Sequence, residues 1–215
     1  NNEGGYQLWI WGGNSYGILA NDLTNVDHND NYGRSSPIQI AGAWSKVFGR
    51  SGYPVITGIK QDGTLWGWGQ SVNTIILNQP GSYSGSRSSP VQIPGTDWTA
   101  AEVNPYVGMG IKSSDQLWMW GRNYYGQLGQ NVSGDGTGSY FSSPVQIPGA
   151  WKSDVDTWSF AAETSAAIKT NHELYSWGHN ESGNLGQNNT TDYSSPTQIP
   201  GSWSRANINY SVSRG

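Results

Sequence analysis

The side chains able to do acid–base or metal chemistry are few in this chain, and they are scattered. Its three histidines, His28, His172 and His179, fall in three different loop contexts. His172 and His179 flank one strand without the spacing of a zinc-binding pair, so all three read as surface histidines satisfied by local partners. Asp27-His28-Asn29-Asp30-Asn31 begins like a calcium loop, with side-chain oxygens at alternate positions. The glycine comes one place late, at Gly33, and Ile38 stands where a bidentate Glu should close the coordination sphere. A solvated loop is the expected state. Ser133-Gly134-Asp135-Gly136-Thr137-Gly138 is too short and wrongly flanked for a phosphate cradle and reads as a flexible insertion. With no cysteine there is no thiolate nucleophile and no Cys-based zinc site. The chain is therefore expected to have no catalytic residues, no metal site and no cofactor, and not to be an enzyme.

Residues suited to binding are better represented. Segments 21–34, 78–87, 130–141 and 187–193 place Tyr32, Tyr83, Tyr140, Phe141 and Tyr193 among Asn, Asp, Ser and Gly. Recognition surfaces use this mixture, because Tyr brings contact area at low entropic cost and small polar residues adapt their hydrogen bonds. These five aromatics are the candidate binding residues. The competing reading, in which each packs beneath its own loop, stays open. Five Asn-x-Ser/Thr sequons, at Asn131, Asn180, Asn188, Asn189 and Asn209, arise by chance in so Asn-rich a chain.

Composition narrows the partners. Only 12% of residues are charged, while Trp and Tyr number 12 each, so Asn, Ser, Thr, Gln and Gly must keep the surface wet. A net charge of −4 with eleven scattered basic residues lacks the Lys/Arg stripe that nucleic acid requires. Apolar runs fall far below the roughly 20 residues of a membrane span, and no membrane insertion is expected. The chain starts at Asn1 without a signal peptide or initiating Met, which reads as processing, an excised domain or a sequence not taken from an intact gene.

The elements that carry these loops repeat. Leu8-Trp9-Ile10-Trp11-Gly12 returns as Leu65-Trp66-Gly67-Trp68-Gly69, as Leu117-Trp118-Met119-Trp120-Gly121 and, more loosely, as Leu174-Tyr175-Ser176-Trp177-Gly178. A Ser-Ser-Pro phrase follows each, and its prolines, Pro37, Pro90, Pro144 and Pro196, are 53, 54 and 52 residues apart. That period belongs to propellers and solenoids. In the third unit, residues 107–112 read as a strand, 113–116 as a turn and 117–120 as the returning strand. Alternation puts Leu117 and Met119 on one face and Trp118 and Trp120 on the other, so both faces need cover, as in stacked blades. Gly17, Gly126 and Gly183, in an Asn-x-x-Gly-x-Leu context, are expected at positive φ, with Asn73 in the second unit. Proline suits the first position of an outer strand, and Trp44, Trp98, Trp151 and Trp203 follow each phrase to fill the core.

Leu-Trp-x-Trp-Gly-x-Asn-x-x-Gly-x-Leu-Gly, then Ser-Ser-Pro-Val-Gln-Ile, then Trp, resembles the regulator of chromosome condensation repeat. The resemblance implies a β-propeller with four strands per blade and about 50 residues per repeat. The family's well-known members have seven blades, whereas this chain has material for four. The units run at roughly 1–52, 53–105, 106–160 and 161–215 within a single domain. Tyr210 to Arg214 aligns with the first inner strand of the second unit, and the chain starts where the hairpin turn should follow. The fold expected is thus all-β, a four-repeat propeller closed by pairing of N- and C-terminal strands. The rival is an arc of a larger ring, completed by further sequence or another subunit. Nuclear members exchange nucleotide on a small GTPase and touch nucleosomes, but no residues for GTPase contact carry over, so an exchange-factor role is the remote alternative. The Ser-Ser-Pro-Val-Gln-Ile-Pro-Gly wording looks like the bacterial and bacteriophage branch. The functional expectation is a non-catalytic binding propeller on a virion or cell surface: a bacteriophage decoration, fibre or receptor-binding domain. Its partners would be proteins or surface glycans met through the loop face, other virion proteins included. A secreted bacterial inhibitor-like or lectin-like module is the alternative.

Overall fold

A computed structural model describes residues 6–22, 33–49, 53–70, 86–104, 106–134 and 140–207. Apart from one 3-10 turn at Val155–Thr157, the regular elements among them are strands. In chain order these are β1 (Tyr6–Gly12), β2 (Arg34–Gly49), β3 (Val55–Lys60), β4 (Leu65–Gly69), β5 (Arg87–Ile93), β6 (Trp98–Val103) and β7 (Val107–Lys112). They continue as β8 (Gln116–Arg122), β9 (Tyr140–Ile147), β10 (Trp158–Phe160), β11 (Thr164–Ile168), β12 (Leu174–Gly178) and β13 (Tyr193–Ile199). Sequence neighbours pair antiparallel into three sheets, ordered β1-β2-β3-β4-β5, β6-β7-β8-β9 and β10-β11-β12-β13. The extra strand of the first sheet has a simple origin. The early part of β2, from Arg34 to Ile40, pairs with β1, and the later part, from Trp44 to Gly49, pairs with β3. So β2 joins the hairpin of the first repeat to the four-stranded blade of the second. The fourfold blade count and the pairing of residues 210–214 with 7–11 involve residues outside those described.

The hairpins form where turn chemistry asks for them. Asp62-Gly63 links β3 to β4 with Gly63 at φ 76°, while Asp115 (φ 58°) and His172 (φ 71°) hold the same place in the next two blades. Asp62 accepts hydrogen bonds from the Thr64 amide (3.0 Å) and hydroxyl (2.6 Å), an Asx turn that pins the returning strand. Those bonds, the hydroxyl's first, hold the Asp62 carboxyl below its ordinary pKa.

The prolines are not at strand starts as expected: Pro37, Pro90, Pro144 and Pro196 lie inside β2, β5, β9 and β13. Each sits in a bulge. Arg87 to Val91 runs opposite only Gly69 to Gly67, and the same irregularity recurs between β8 and β9 and between β12 and β13. A donor-less residue is tolerated there because the bulged outer edge asks for no ladder bond from it.

Both faces of the returning strands are covered, as their composition requires. Leu117, Met119 and Trp120 have no exposed surface: Leu117 and Met119 pack with Trp151 and Trp177 of the following blade, and Trp120 packs with Val55, Ile59 and Leu65 of the preceding one. The tryptophan after each Ser-Ser-Pro strand meets the second tryptophan of its own blade: Trp44 to Trp68 at 5.6 Å, Trp98 to Trp120 at 5.8 Å and Trp151 to Trp177 at 6.0 Å between ring centroids. A lysine ammonium lies over each cluster. Lys60 sits 3.8 Å from the Trp66 ring, Lys112 4.5 Å from Trp118 and Lys169 4.2 Å from Tyr175, each with the first tryptophan on its other side.

The Asn-x-x-Gly-x-Leu phrase builds the loop after the double-Trp strand and locks it to the next blade. The buried carboxamides of Asn14, Asn123 and Asn180 accept the amides of Leu19, Leu128 and Leu185 at 2.9–3.0 Å. Gly17, Gly126 and Gly183 are all at positive φ, at 74°, 76° and 74°. Sequence reasoning found this backbone requirement and missed a second one. A Cβ on Gly126 would lie 2.5 Å from the Cα of Ser194, and one on Gly17 would lie 2.7 Å from the Cα of Ser88. The glycine lets the loop of one blade touch the Ser-Ser-Pro strand of the following repeat.

Candidate functional site

One end of the sheets gathers the β6–β7 and β10–β11 turns together with the long β8–β9 and β12–β13 connections. At this end each blade has the same backbone joint. The residue after the double-Trp strand donates its amide to a carbonyl in the turn before the second strand: Gln70 to Pro54 (2.7 Å), Arg122 to Tyr106 (2.8 Å) and His179 to Glu163 (2.8 Å). The bond is constant and its side chains are not. What the joint carries is therefore free to differ between blades.

In two adjacent blades these variable side chains meet. The Arg122 guanidinium lies 5.8 Å from the Tyr106 ring and 5.4 Å from the Tyr124 ring, and its Nη1 is 3.5 Å from Glu163 Oε1 across the seam. Glu163 Oε2 is 3.4 Å from His179 Nδ1, and His179 Nε2 is 3.7 Å from Glu181, whose side chain is 84% exposed. Tyr125 covers the imidazole at 4.2 Å between centroids, and Tyr124 meets Tyr125 edge-on at 5.2 Å. The result is a continuous band of aromatic rings and charges, held in place because every member is paired. Arg122, Glu163 and His179 keep only 23%, 16% and 11% of their side-chain surface, so the band presents rims and edges to solvent rather than swinging charges.

The expected binding residues divide. Tyr140 stands opposite Arg122 in the β8–β9 register and is exposed, so it extends the band outward. Phe141 and Tyr193 are half-buried against the core of their blades, and the Tyr193 hydroxyl takes a hydrogen bond from Asn189 at 3.0 Å. For these two the packing role holds. Tyr32 and Tyr83 lie outside the described residues, as does His28. His172 is exposed beside Lys152, but His179 corrects the surface reading: it is buried between Glu163 and Tyr125. Sequence reasoning missed Tyr106, Arg122, Glu163 and His179 as a group. The available signal was positional: the residue after each Trp-Gly and the residue before each second strand both change from repeat to repeat. Among the described residues, no three His, Cys, Asp or Glu side chains converge as a metal site would require, and no helix is long and apolar enough to cross a membrane.

Comparison with known proteins agrees with the repeat phrases. The regulator of chromosome condensation (RCC1) repeat matches residues 114–168 and 171–211. An Arabidopsis thaliana RCC1 domain-containing protein, RUG3, mitochondrial, is 26% identical over 66% of this chain and 32% of its own length. A Danio rerio RCC2 homolog is 33% identical over 38% of this chain and 16% of its own. Saccharomyces cerevisiae Prp20p, in a structure described with its binding properties to Gsp1p and histones, superposes with a TM-score of 0.69 at 15% identity, over 91% of this chain and 46% of its own. The chain thus spans a third or less of these curated relatives and just under half of that propeller. These relatives overturn the expected extracellular or virion location: they are eukaryotic RCC1-type proteins, one of them named as mitochondrial. The bacteriophage-like wording of the Ser-Ser-Pro phrase follows from the bulged strand it encodes, and a structural requirement of that kind is indifferent to compartment. Its ordered phrases, its blades and its relatives point the same way: this chain carries regulator of chromosome condensation repeats, matched over residues 114–168 and 171–211.

Proposed function

We propose that the protein is a non-catalytic propeller domain that binds a protein partner through the band formed by Tyr106, Arg122, Tyr124, Tyr125 and Tyr140, with Glu163 and His179 holding it rigid. The observation that carries this reading is the seam itself: Arg122, half-covered by two tyrosines, is anchored by a carboxylate of the neighbouring blade. Tyr and Arg dominate the energetics of protein interfaces, and rings fixed in advance lose little freedom on binding. The Prp20p propeller is described as binding Gsp1p and histones, so protein recognition suits the architecture.

The test uses those two proteins as probes, with a glycan array alongside. Kd is measured for the natural chain and for a triple variant, Arg122→Ala with Tyr124→Ser and Tyr140→Ser. Binding of a protein probe that weakens at least about tenfold in the variant, with melting unchanged, supports the reading. Equal binding by both chains moves the interface elsewhere, and binding confined to glycans replaces a protein partner with a sugar.

A further inference from the structure

A pocket of about 390 Å³ opens at the seam between the β6–β9 and β10–β13 sheets, beside the outer strands β9 and β13. Ile147 and Trp151, both buried, form its floor, and Pro148, Tyr175 and Pro196 form its walls. Its size and apolar lining are those of a site for a small ligand or a single side chain. Tyr175 lies near the start of β12 and His179 just past its end, so the pocket is separate from the binding band.

Most hydrogen-bond donors around the pocket are spent within the protein. The Tyr175 hydroxyl donates to Glu173 at 3.0 Å, the Trp151 indole to Ile147 O at 3.2 Å, and the Ser195 hydroxyl to Asn131 Oδ1 at 3.2 Å. Gln130 Nε2 serves both Leu128 O and Gln146 O at 3.2 Å. Two donors remain. Lys169 carries the only charge among the described residues lining the pocket, and the ion pairs among the described residues do not include it. Its ammonium lies 4.2 Å from the Tyr175 ring and 5.4 Å from the Trp151 ring, so rings cover its faces while its edge borders the pocket. An oxygen needs only one N–H at that edge, whereas a bulkier reagent needs the whole amine clear of the rings. The second donor is Asn131 Nδ2, since Ser195 occupies the other end of that carboxamide.

The seam between the first and second repeats makes the same joint with a different charge. There Lys60 is held between Trp44 and Trp66, and Asp22 stands where Asn131 does. The amides of Asp22 and Asn131, at φ 61° and 58°, donate to Ser88 O (2.9 Å) and Ser194 O (2.8 Å), and each side chain takes the hydroxyl of the next serine, Ser89 or Ser195. The first seam thus supplies its own carboxylate. The later one supplies a neutral amide and leaves its cation without an anion. We infer that the Lys169 pocket binds a carboxylate carried on an apolar stem, with its oxygens on the Lys169 ammonium and Asn131 Nδ2 and its stem against Tyr175, Pro148 and Pro196. Hydrogen bonds between ionised groups are the stronger kind, and the stem gains by leaving water. A peptide ending in an apolar residue and a free aryl acid share this chemistry. The inference is independent of the binding band.

The test titrates the natural chain with phenylacetate, with its neutral isostere phenylacetamide, and with a short peptide ending in Phe as the free acid or the amide, following the Tyr175 ring and the Asn131 carboxamide by NMR. Phenylacetate should bind saturably with a Kd of about 1 mM, as suits so small a ligand, and phenylacetamide at least about tenfold more weakly. A free-acid peptide tighter than phenylacetate makes a chain terminus the source, and equal affinities make it a free acid; either result supports the site. Asn131→Asp is the sharpest variant, because Asp22 already does the same structural work at the first seam. It should melt like the natural chain and lose at least about tenfold in phenylacetate affinity, as should Lys169→Met, which keeps the apolar stem and removes the charge. Three results overturn the inference: no saturable shift with either carboxylate, amides that bind as well as acids, or phenylacetate affinity unchanged in both variants.

Discussion

Gly126→Ala and Gly183→Ala are the same substitution at the same place in successive loops, at φ 76° and 74°, so they separate backbone strain from close approach. An alanine in the left-handed region costs about 1–2 kcal/mol, and both variants bear that cost. Only at Gly126 does the new methyl meet the next repeat, 2.5 Å from Ser194 Cα. Backbone cannot rotate away as a side chain can. The β13 strand must retreat, which costs about 1–3 kcal/mol as overpacking and weakens the Asn131-to-Ser194 hydrogen bond, a further loss of about 1 kcal/mol. Gly183 has 3.9 Å of clearance. Gly126→Ala should therefore lose about 2–4 kcal/mol more than Gly183→Ala, or roughly 5–15 °C in Tm for a chain of this size. Urea unfolding and thermal scans at concentrations that keep the chain monomeric measure the difference. Equal losses would refute the argument that the glycine exists for the seam as well as for the turn.

Trp120→Ala should cost about 3–5 kcal/mol, because a fully buried indole shared by two blades leaves a cavity, whereas Tyr175→Trp should be tolerated, since Trp66 and Trp118 fill that slot elsewhere; chemical denaturation checks both. Tyr193→Ser should lower the melting temperature while Tyr140→Ser leaves it unchanged, the first ring being packed on the core and the second exposed. Thr64→Val should bring the Asp62 pKa up toward its ordinary value of 3.8, read by carboxyl NMR, by removing the hydroxyl that chiefly depresses it. The sign follows from the depression: Asp62 supports the fold above that ordinary value, and its support fades as pH falls through the lower folded value.

Local features were legible in the sequence because their causes are local. The β7–β8 hairpin falls within two residues of its expected bounds, since a turn and an alternating strand are each set by adjacent residues. The Asn-x-x-Gly-x-Leu loop was likewise readable, and its buried asparagine explains why the phrase starts there. The seam contacts were not. Gly126 touches Ser194, in the following repeat, and nothing at either position announces the other. The His179–Glu163 pair escaped for a related reason: a constant backbone bond brings the two positions together while their side chains vary, so neither resembles a motif. That Phe141 and Tyr193 pack against the core was not legible, because loop composition does not tell an aromatic that anchors its loop from one that displays it. Cellular location was misread because a repeat's wording records strand geometry and has no bearing on where the fold is used.

The stacked lysines give each blade its own chemical reporter. Lys60, Lys112 and Lys169 are three of the five lysines in the chain, and each ammonium is sandwiched between two rings belonging to a single blade. An amine-reactive label should reach them only as that blade loosens, so acylation mapped by mass spectrometry would follow the order in which the blades come apart. A chain this repetitive confounds most optical probes, because its tryptophans all answer together. Its lysines answer one blade at a time.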